Sequence, residues 1–258
     1  MEKNFVEYLS QVDIALKAET IKEFVSQLKT FGKFQESNDG LWDPLPYSGY
    51  TLITPTFLND TENVNTYWQL SDIREELFWN ILFPGIVPAP TIGLHLTIGR
   101  LISGDIFAKK IMNSREEEFL LAMQQLFSET SSASPSPLKY EVKGLSVFSE
   151  GVIAAIVSPV TEDDYLRLQS FRNSLYTDEE LMNLGVERKR CFNGHITLFY
   201  IEEKLAGKER SKLTNAVLNI NKQFFSTPLP FKLTRAEVRR FSDFSDFYRQ
   251  DHWPVYKF

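Results

Sequence analysis

The sequence predicts an α+β protein in which two similar lobes face each other across a central cleft. Segments typical of β-strands alternate with segments that carry apolar residues at helical spacing. A strand with the pattern His-x-Thr occurs twice, as GLHLTIGR at 93–100 and NGHITLFY at 193–200. Each copy is followed by a helix and then by a similar stretch that starts with Pro-Leu, at 137–149 and 228–242. This repeated order indicates an internal duplication.

The part of the chain before the duplicated region predicts one helix followed by a loop. Residues 12–31 place apolar side chains at helical spacing, and the following stretch is crowded with Asn, Asp, Gly and Pro, which are turn residues. We therefore expect residues 1–49 to form an N-terminal helix-and-loop extension. Residues 50–258 are expected to form a bilobal domain, with its duplicated halves around 94–158 and 194–258.

The first half of this domain predicts strands and helices in alternation. The stretch 50–57 is rich in Thr and Ile and predicts a strand, whereas 71–82 has the period of a helix. The motif strand, 94–101, is followed by a helix over 114–127 with acidic residues in its first turn. Small polar residues at 128–137 then predict a linker.

The first half ends in a predicted hairpin, and the second half repeats the alternation after an intervening helix. Residues 138–148 and 151–158 predict a β-hairpin, and 161–176 predicts a helix that opens on a threonine cap with three acidic residues behind it. The second motif strand comes next. It is followed by a predicted helix over 208–225 and a strand-like stretch over 229–241.

Composition excludes several classes of protein. The net charge of −6 gives no overall attraction to a nucleic-acid duplex, so positive potential for an anionic ligand must be local. The single cysteine, Cys191, excludes an intramolecular disulfide and a cysteine zinc cluster. The longest apolar run, 151–160, is too short to span a membrane, and the N-terminus has no apolar signal-peptide core. We expect a cytoplasmic monomer that does not bind membranes.

The two His-x-Thr strands carry the predicted chemistry. Residues i and i+2 of a strand point to the same face, so His95 acts beside Thr97, and His195 beside Thr197. Imidazole is the side chain best suited to proton transfer near neutral pH. Threonine hydroxyls can donate hydrogen bonds to phosphate oxygens as charge develops. Two such pairs in one cleft would serve phosphodiester cleavage.

The doubled pattern, HLTI at 95–98 and HITL at 195–198, resembles the motifs of the 2H phosphoesterase superfamily. The resemblance implies a bilobal, pseudo-two-fold fold of two antiparallel-sheet lobes with outer helices. It also implies metal-independent cleavage of phosphodiesters to ribose, with the two histidines as acid and base and the two threonines binding phosphate. We expect no cofactor and no metal ion. A three-histidine metal site that includes His252 would leave the threonines without a role.

The substrate expected from this resemblance is a 2′,3′-cyclic nucleotide or RNA end, or a short 2′,5′- or 3′,5′-linked oligonucleotide. Candidate substrate-binding residues are Tyr50, Arg100, Tyr200 and Trp253, which offer aromatic rings or positive charge. Regular strand alternation would turn Arg100 away from His95. Two alternatives remain open at this point. One is a non-catalytic nucleotide or oligonucleotide binding module on the same fold, and the other is an enzyme that acts on a non-nucleotide cyclic phosphate.

Overall fold

A computed structural model describes residues 3–112, 114–131 and 134–258. The described residues include eight α-helices, which lie outside two larger β-sheets. The helices are α1 (Phe5–Ala15), α2 (Ala18–Ser26), α3 (Val64–Ile81), α4 (Gly104–Lys110), α5 (Glu116–Thr130), α6 (Glu162–Thr177), α7 (Glu179–Leu184) and α8 (Gly207–Phe224).

Eleven strands are present in the same described residues, and all of their pairings are antiparallel. They are β1 (Phe34–Glu36), β2 (Trp42–Pro44), β3 (Gly49–Ile53), β4 (Ile86–Pro88), β5 (Thr97–Ser103), β6 (Leu138–Phe148), β7 (Val152–Pro159), β8 (His195–Ile201), β9 (Leu229–Leu233), β10 (Arg235–Phe241) and β11 (Val255–Lys257).

Two sheets form the two lobes. The first sheet has the strand order β11-β10-β3-β5, and the second has the order β4-β8-β7-β6-β9, while β1 and β2 form a separate small hairpin. The first motif strand, β5, lies at an edge of the first sheet, and the second motif strand, β8, lies inside the second. The predicted fold class, two antiparallel-sheet lobes with outer helices, is confirmed.

The lobes do not coincide with the sequence halves, because strands cross between them. The predicted strand 229–241 is in fact two strands that break at Thr234. Its first part, β9, pairs with β6 in the second sheet, whereas its second part, β10, pairs with β3 in the first sheet. Each lobe is therefore built from distant parts of the chain, and the crossing strand ties the two lobes together.

The predicted helix over 12–31 is wrong in its bounds. The chain forms two helices there, and α1 starts earlier, behind a capping box in which Asn4 and Glu7 bond each other's backbone N–H groups. Lys17 then adopts an extended backbone conformation and separates α1 from α2. A local break of this kind leaves the apolar periodicity nearly intact, so the pattern alone does not show it.

Other predicted elements agree better with the structure. Helix α6 begins at the expected place, and the side chain of Thr161 accepts a hydrogen bond from the backbone N–H of Asp164. The hairpin of β6 and β7 is also confirmed. Helix α5 continues to Thr130, into the predicted linker, and Ser132 and Ala133 of that linker lie outside the described residues.

The N-terminal segment packs closely on the second lobe. The buried phenol of Tyr8 in α1 donates a hydrogen bond to the Val157 carbonyl in β7 and accepts one from the N–H of Gly194, next to the second motif. Ser146 Oγ in β6 donates to the Ala15 carbonyl over 2.7 Å. In the described part of the chain, no helix combines the length and apolarity that a membrane span requires.

Candidate active site

The two motif strands meet each other directly. Leu96 and Ile196, the residues between the histidine and threonine of each motif, form an antiparallel β-bridge, and both are fully buried. Residues on either side of a bridged pair point to the opposite face of the strands. The side chains of His95, His195 and their threonines therefore face away from Leu96 and Ile196. All four line one central cavity of about 360 Å³.

The antiparallel bridge also sets which residues lie across from one another. With Leu96 opposite Ile196, the register places His95 opposite Thr197 and Thr97 opposite His195. Each imidazole thus faces the hydroxyl of the other motif. The cavity volume falls within the roughly 300–1,000 Å³ of small-molecule sites. The arrangement suits a small anionic group held between two histidines and two hydroxyls.

Each histidine ring is oriented by its own backbone. The Nδ1 atom of His95 lies 2.7 Å from the Gly93 carbonyl oxygen, and that of His195 lies 2.8 Å from the Asn193 carbonyl oxygen. Because a carbonyl oxygen only accepts hydrogen bonds, Nδ1 carries the proton in both rings. The Nε2 atom of the neutral ring then holds a lone pair and can accept a proton.

Both histidines are held in their neutral form. Removal from water lowers the pKa of His95 from 6.5 to about 4, and the positive charge of Arg239 contributes to the same shift. Burial also lowers the pKa of His195, with Arg100 and Arg190 adding to the effect. The hydrogen bonds from Nδ1 to backbone carbonyls oppose these shifts without cancelling them.

A phenylalanine packs beside each imidazole. The ring of Phe247 lies 4.5 Å from that of His95, centroid to centroid, and the ring of Phe148 lies 5.0 Å from that of His195. These apolar neighbours restrict water around the rings, which is the physical source of the lowered pKa values. The two phenylalanines come from unrelated places, one from the end of β6 and the other from the loop after β10.

A β-bulge in β5 turns Arg100 into the cavity. Thr97 pairs with Ile53 and Arg100 pairs with Thr51, so three steps along β5 match two steps along β3. The extra residue is Ile98, and such an insertion reverses the alternation of side chains beyond it. Arg100 therefore lines the same cavity as Thr97. The expectation that Arg100 points away from the motif is wrong, because it assumed a regular strand.

The second motif strand contains the same bulge. Thr197 pairs with Ala154 and Tyr200 pairs with Val152, which leaves Leu198 as the extra residue of β8. Tyr200 consequently faces the cavity as well. Both motifs thus have the same order: a histidine, a buried residue, a threonine and then a β-bulge. In each motif, the residue three positions after the threonine is the third side chain that faces the cavity. That third side chain is cationic in the first motif and aromatic in the second.

The two remaining predicted site residues have different surroundings. Tyr50 lines the cavity, but its hydroxyl donates a 2.8 Å hydrogen bond to Glu116, which also pairs with Arg240. Trp253 is buried outside the cavity, where it packs against Tyr50. It instead borders a smaller pocket together with His252. The third histidine is therefore remote from the motif pair, and the described residues contain no metal-ligand cluster of three or more.

The sequence does not identify Phe31 and Phe244 as parts of an aromatic wall beside Tyr200, although Tyr47 is one of its aromatic candidates for base stacking. Phe31 packs 4.6 Å from the Tyr200 ring, and Phe244 packs 5.0 Å from Phe31, while Tyr47 stacks on Phe244 at 5.4 Å. All of these rings line the cavity. The sequence FSDFSDF at 241–247, with a phenylalanine every third residue, was an available signal for part of this wall.

Comparison with known proteins gives fold similarity. No protein-family model and no curated protein matches the chain. The solved structure of ATU0111 from Agrobacterium tumefaciens, described as a conserved protein of unknown function, is similar with a TM-score of 0.60 and 13% identity over 85% of this chain and 89% of that one. This likeness shows a shared fold.

Two further solved structures are similar at lower TM-scores. TT0787 of Thermus thermophilus has a TM-score of 0.46 and 15% identity, over 76% of this chain and 98% of that one. E. coli LigT, solved in complex with 3′-AMP, has a TM-score of 0.42 and 12% identity, over 82% of this chain and 95% of that one.

Proposed function

We propose that this chain is a 2H-type phosphoesterase that hydrolyses a phosphodiester bond to ribose. The observation that carries the proposal is the bridge between Leu96 and Ile196, which sets both His-x-Thr pairs against one cavity. Each histidine there keeps Nδ1 on a backbone carbonyl and presents Nε2 for proton transfer. Two imidazoles and two hydroxyls are the groups that such a cleavage uses.

The proposed proton movements use these groups. One Nε2 accepts a proton from the attacking water, whose oxygen forms a bond to phosphorus. The bond from phosphorus to the ribose oxygen breaks, and that oxygen takes a proton from the imidazolium of the other histidine. The hydroxyls of Thr97 and Thr197 donate hydrogen bonds to the non-bridging oxygens, whose negative charge increases in the transition state.

The different surroundings of the two histidines assign their roles in this proposal. A pKa of about 4 keeps His95 neutral over the working range of pH, which suits the general base. His195 is the general acid in this assignment, and an anionic phosphodiester bound between the two histidines would raise the pKa of both rings and so favour a protonated His195. For the reverse reaction the roles exchange.

The aromatic wall around Tyr200 supports a nucleotide as substrate. A nucleobase can stack on an aromatic ring with about 1–3 kcal/mol per base, and Tyr200, Phe31 and Phe244 lie together beside the motif pair. The cavity accommodates a mononucleotide or the end of a short strand rather than a duplex. We further propose that the protein acts as a cytoplasmic monomer and without a metal ion or cofactor.

Product analysis tests the proposal. The wild type, His95→Ala and His195→Ala are incubated with 2′,3′-cyclic nucleotides and with 2′,5′- and 3′,5′-linked oligoadenylates, in the presence of a chelator. We expect cleavage by the wild type and a loss of about 10²–10⁴-fold in each variant. His252→Ala, which removes the histidine outside the cavity, is the matched control and should retain activity.

The other outcomes separate the alternatives. Binding without cleavage by the wild type would contradict catalysis and favour the nucleotide-binding module. Cleavage of a non-nucleotide cyclic phosphate alone would contradict the nucleotide substrate. Activity that disappears with the chelator and returns with added metal ion would contradict the metal-independent mechanism.

A further inference from the structure

Two cationic side chains line the central cavity without a carboxylate at ion-pair distance, although the charge of Glu150 acts on one of them, Arg100, from further away. Lys33 and Arg100 both contribute to its wall, and the ion pairs among the described residues involve neither of them. Lys189 differs, because it lies 3.4 Å from Glu187, which lines the same cavity. In a chain with a net charge of −6, two unpaired cations at one cavity are a local excess of positive charge.

Lys33 is held at the cavity by a clamp on its own backbone. The carboxylate of Glu202 accepts hydrogen bonds from the N–H groups of Gly32 at 2.6 Å and Lys33 at 3.0 Å. The N–H of Phe31 donates to the Ile201 carbonyl over 2.7 Å. Glu202 directly follows the second motif strand, so this strand holds the segment 31–33 in place. Gly32 has a φ of +72°, the left-handed conformation that a side chain would strain.

Tyr47 contacts both Lys33 and β5, the strand that carries Arg100. The Lys33 ammonium lies 4.1 Å from the centre of the Tyr47 ring, which is within cation–π distance. The Tyr47 hydroxyl is 3.1 Å from Ser103 Oγ at the end of β5, a hydrogen bond that fixes the ring. Lys33 from the N-terminal segment and Arg100 from the first motif strand thus line the same cavity from distant parts of the chain.

The motif pair already accounts for one anionic group of the substrate. The phosphodiester lies between the two histidines and two threonines in the proposed function, and neither Lys33 nor Arg100 is needed for the proton transfers. An anion that binds in the cavity within reach of either cation gains a favourable Coulomb interaction with it. Ammonium and guanidinium groups are the usual partners of phosphate oxygens.

We infer that Lys33 and Arg100 form a second anion subsite, which binds an additional phosphate group of the substrate. The inference rests on the proposed function and narrows its substrate class to nucleotides that carry a terminal phosphate besides the diester. The subsite combines residues from the N-terminal segment and the first motif strand, so the N-terminal segment takes part in substrate selection.

Calorimetric binding of two product-like probes tests the subsite. Adenosine 2′-monophosphate and adenosine 2′,5′-bisphosphate differ only in the 5′-phosphate. We expect the wild type to bind the bisphosphate at least about tenfold more tightly, since a charge-assisted contact contributes roughly 1.5–3 kcal/mol and a tenfold change corresponds to 1.4 kcal/mol. Lys33→Met and Arg100→Met should each remove most of this preference, because they weaken binding of the bisphosphate more than binding of the monophosphate.

Lys22→Met is the matched control, because Lys22 is an exposed lysine of the N-terminal segment that does not line the cavity. Equal binding of the two probes by the wild type overturns the subsite, as does binding of neither probe. A preference that survives in both variants overturns the assignment of these residues. Failure of the proposed function has a different signature: the wild type would discriminate between the probes and still hydrolyse no phosphodiester.

Discussion

The two motif strands share the same order of histidine, threonine and β-bulge, but they differ in the side chain that the bulge turns into the cavity. Both place a histidine and a threonine on the cavity face and insert a bulge one residue later. The bulge then turns Arg100 into the cavity on one strand and Tyr200 into it on the other. The shared positions are those that the proposed chemistry uses, and the positions that differ are those suited to contact the rest of the substrate. In the proposed function, the repeated positions serve catalysis and the positions that differ serve recognition of the substrate.

The strands also differ in what holds their bulges. The carbonyl of Ile98 accepts a hydrogen bond from the guanidinium of Arg172, a buried side chain of α6. The carbonyl of Leu198 accepts one from the backbone N–H of Ala89, 2.9 Å away. The first bulge thus depends on one side chain, whereas the second depends on the backbone. A single substitution can disturb the first bulge selectively.

Among the substitutions that compare the two strands, removal of one threonine hydroxyl should have the largest effect on activity. Thr97→Val and Thr197→Val keep the shape of the side chain and remove its hydrogen-bond donor. If the strands are equivalent in catalysis, each variant should lose roughly 10²-fold in kcat, the usual effect of losing one donor to a developing anion. Steady-state kinetics on the preferred diester measures this. A large loss in one variant only would show that the substrate phosphate contacts one motif alone.

Loss of Arg172 should disturb the first motif strand. Arg172→Met leaves the Ile98 carbonyl without its charged donor, and a hydrogen bond of that kind contributes about 1.5–3 kcal/mol. We expect a decrease of that size in the free energy of unfolding, measured with urea, and weaker binding through the displaced Arg100. Arg167→Met on the same helix is the control, because Arg167 bonds the Ser136 carbonyl from an exposed position. Equal destabilisation by both variants would contradict a special role for Arg172.

The fold and the motif pair could be predicted because both are local in the sequence. His-x-Thr on a strand sets two side chains on one face, and its repetition indicates that two such faces meet. The bulges could not be predicted, since Ile98 and Leu198 are apolar strand residues that fit a regular strand equally well. Alternation therefore gave the wrong direction for Arg100. The crossing at Thr234 was hidden for a similar reason, because β9 and β10 read as one continuous strand.

The contribution of the N-terminal segment to the cavity could not be predicted from the sequence for a different reason. Phe31 and Lys33 reach the cavity through long-range hydrogen bonds to Ile201 and Glu202, about 170 residues away in the chain. No local sequence pattern predicts such a contact. Trp253 shows the converse case, since an aromatic residue with the right chemistry lies in the protein interior outside the cavity.

Loss of the Tyr200 ring should weaken substrate binding and spare the chemical step. Tyr200→Leu removes the stacking surface at the position where the first strand has Arg100, so binding should weaken by about 1–3 kcal/mol for a substrate with a nucleobase. KM should increase with little change in kcat, and steady-state kinetics up to saturating substrate concentrations measures both. Tyr248→Leu is the control, because Tyr248 is an exposed tyrosine that does not line the cavity. A lower kcat with unchanged KM would assign Tyr200 to the chemical step instead.

The pH dependence of kcat/KM should reflect the unequal histidines. His95 must be neutral as the base, so activity should fall as the pH decreases through about 4. His195 must be protonated as the acid, and its lowered pKa implies that activity falls as the pH rises through a value below 6.5. The profile should be a bell with its maximum on the acid side of neutrality, each limb being a property of the coupled pair. A maximum at alkaline pH would contradict these roles.

Removal of one positive charge near His195 should shift the alkaline limb of the pH profile and leave the acid limb in place. This is the smallest effect expected. Arg190 lowers the pKa of His195, and His95 is influenced instead by Arg239. Because Arg190→Met removes a positive charge near His195, its protonated form becomes more favourable and the alkaline limb should move to higher pH. The acid limb should stay in place, and Arg115→Met, which removes an exposed charge at the N-cap of α5, should move neither limb. A shift of the acid limb alone would reverse the assignment and make His195 the base. The two motif strands would still have the same geometry, but His195 would be the base and His95 the acid.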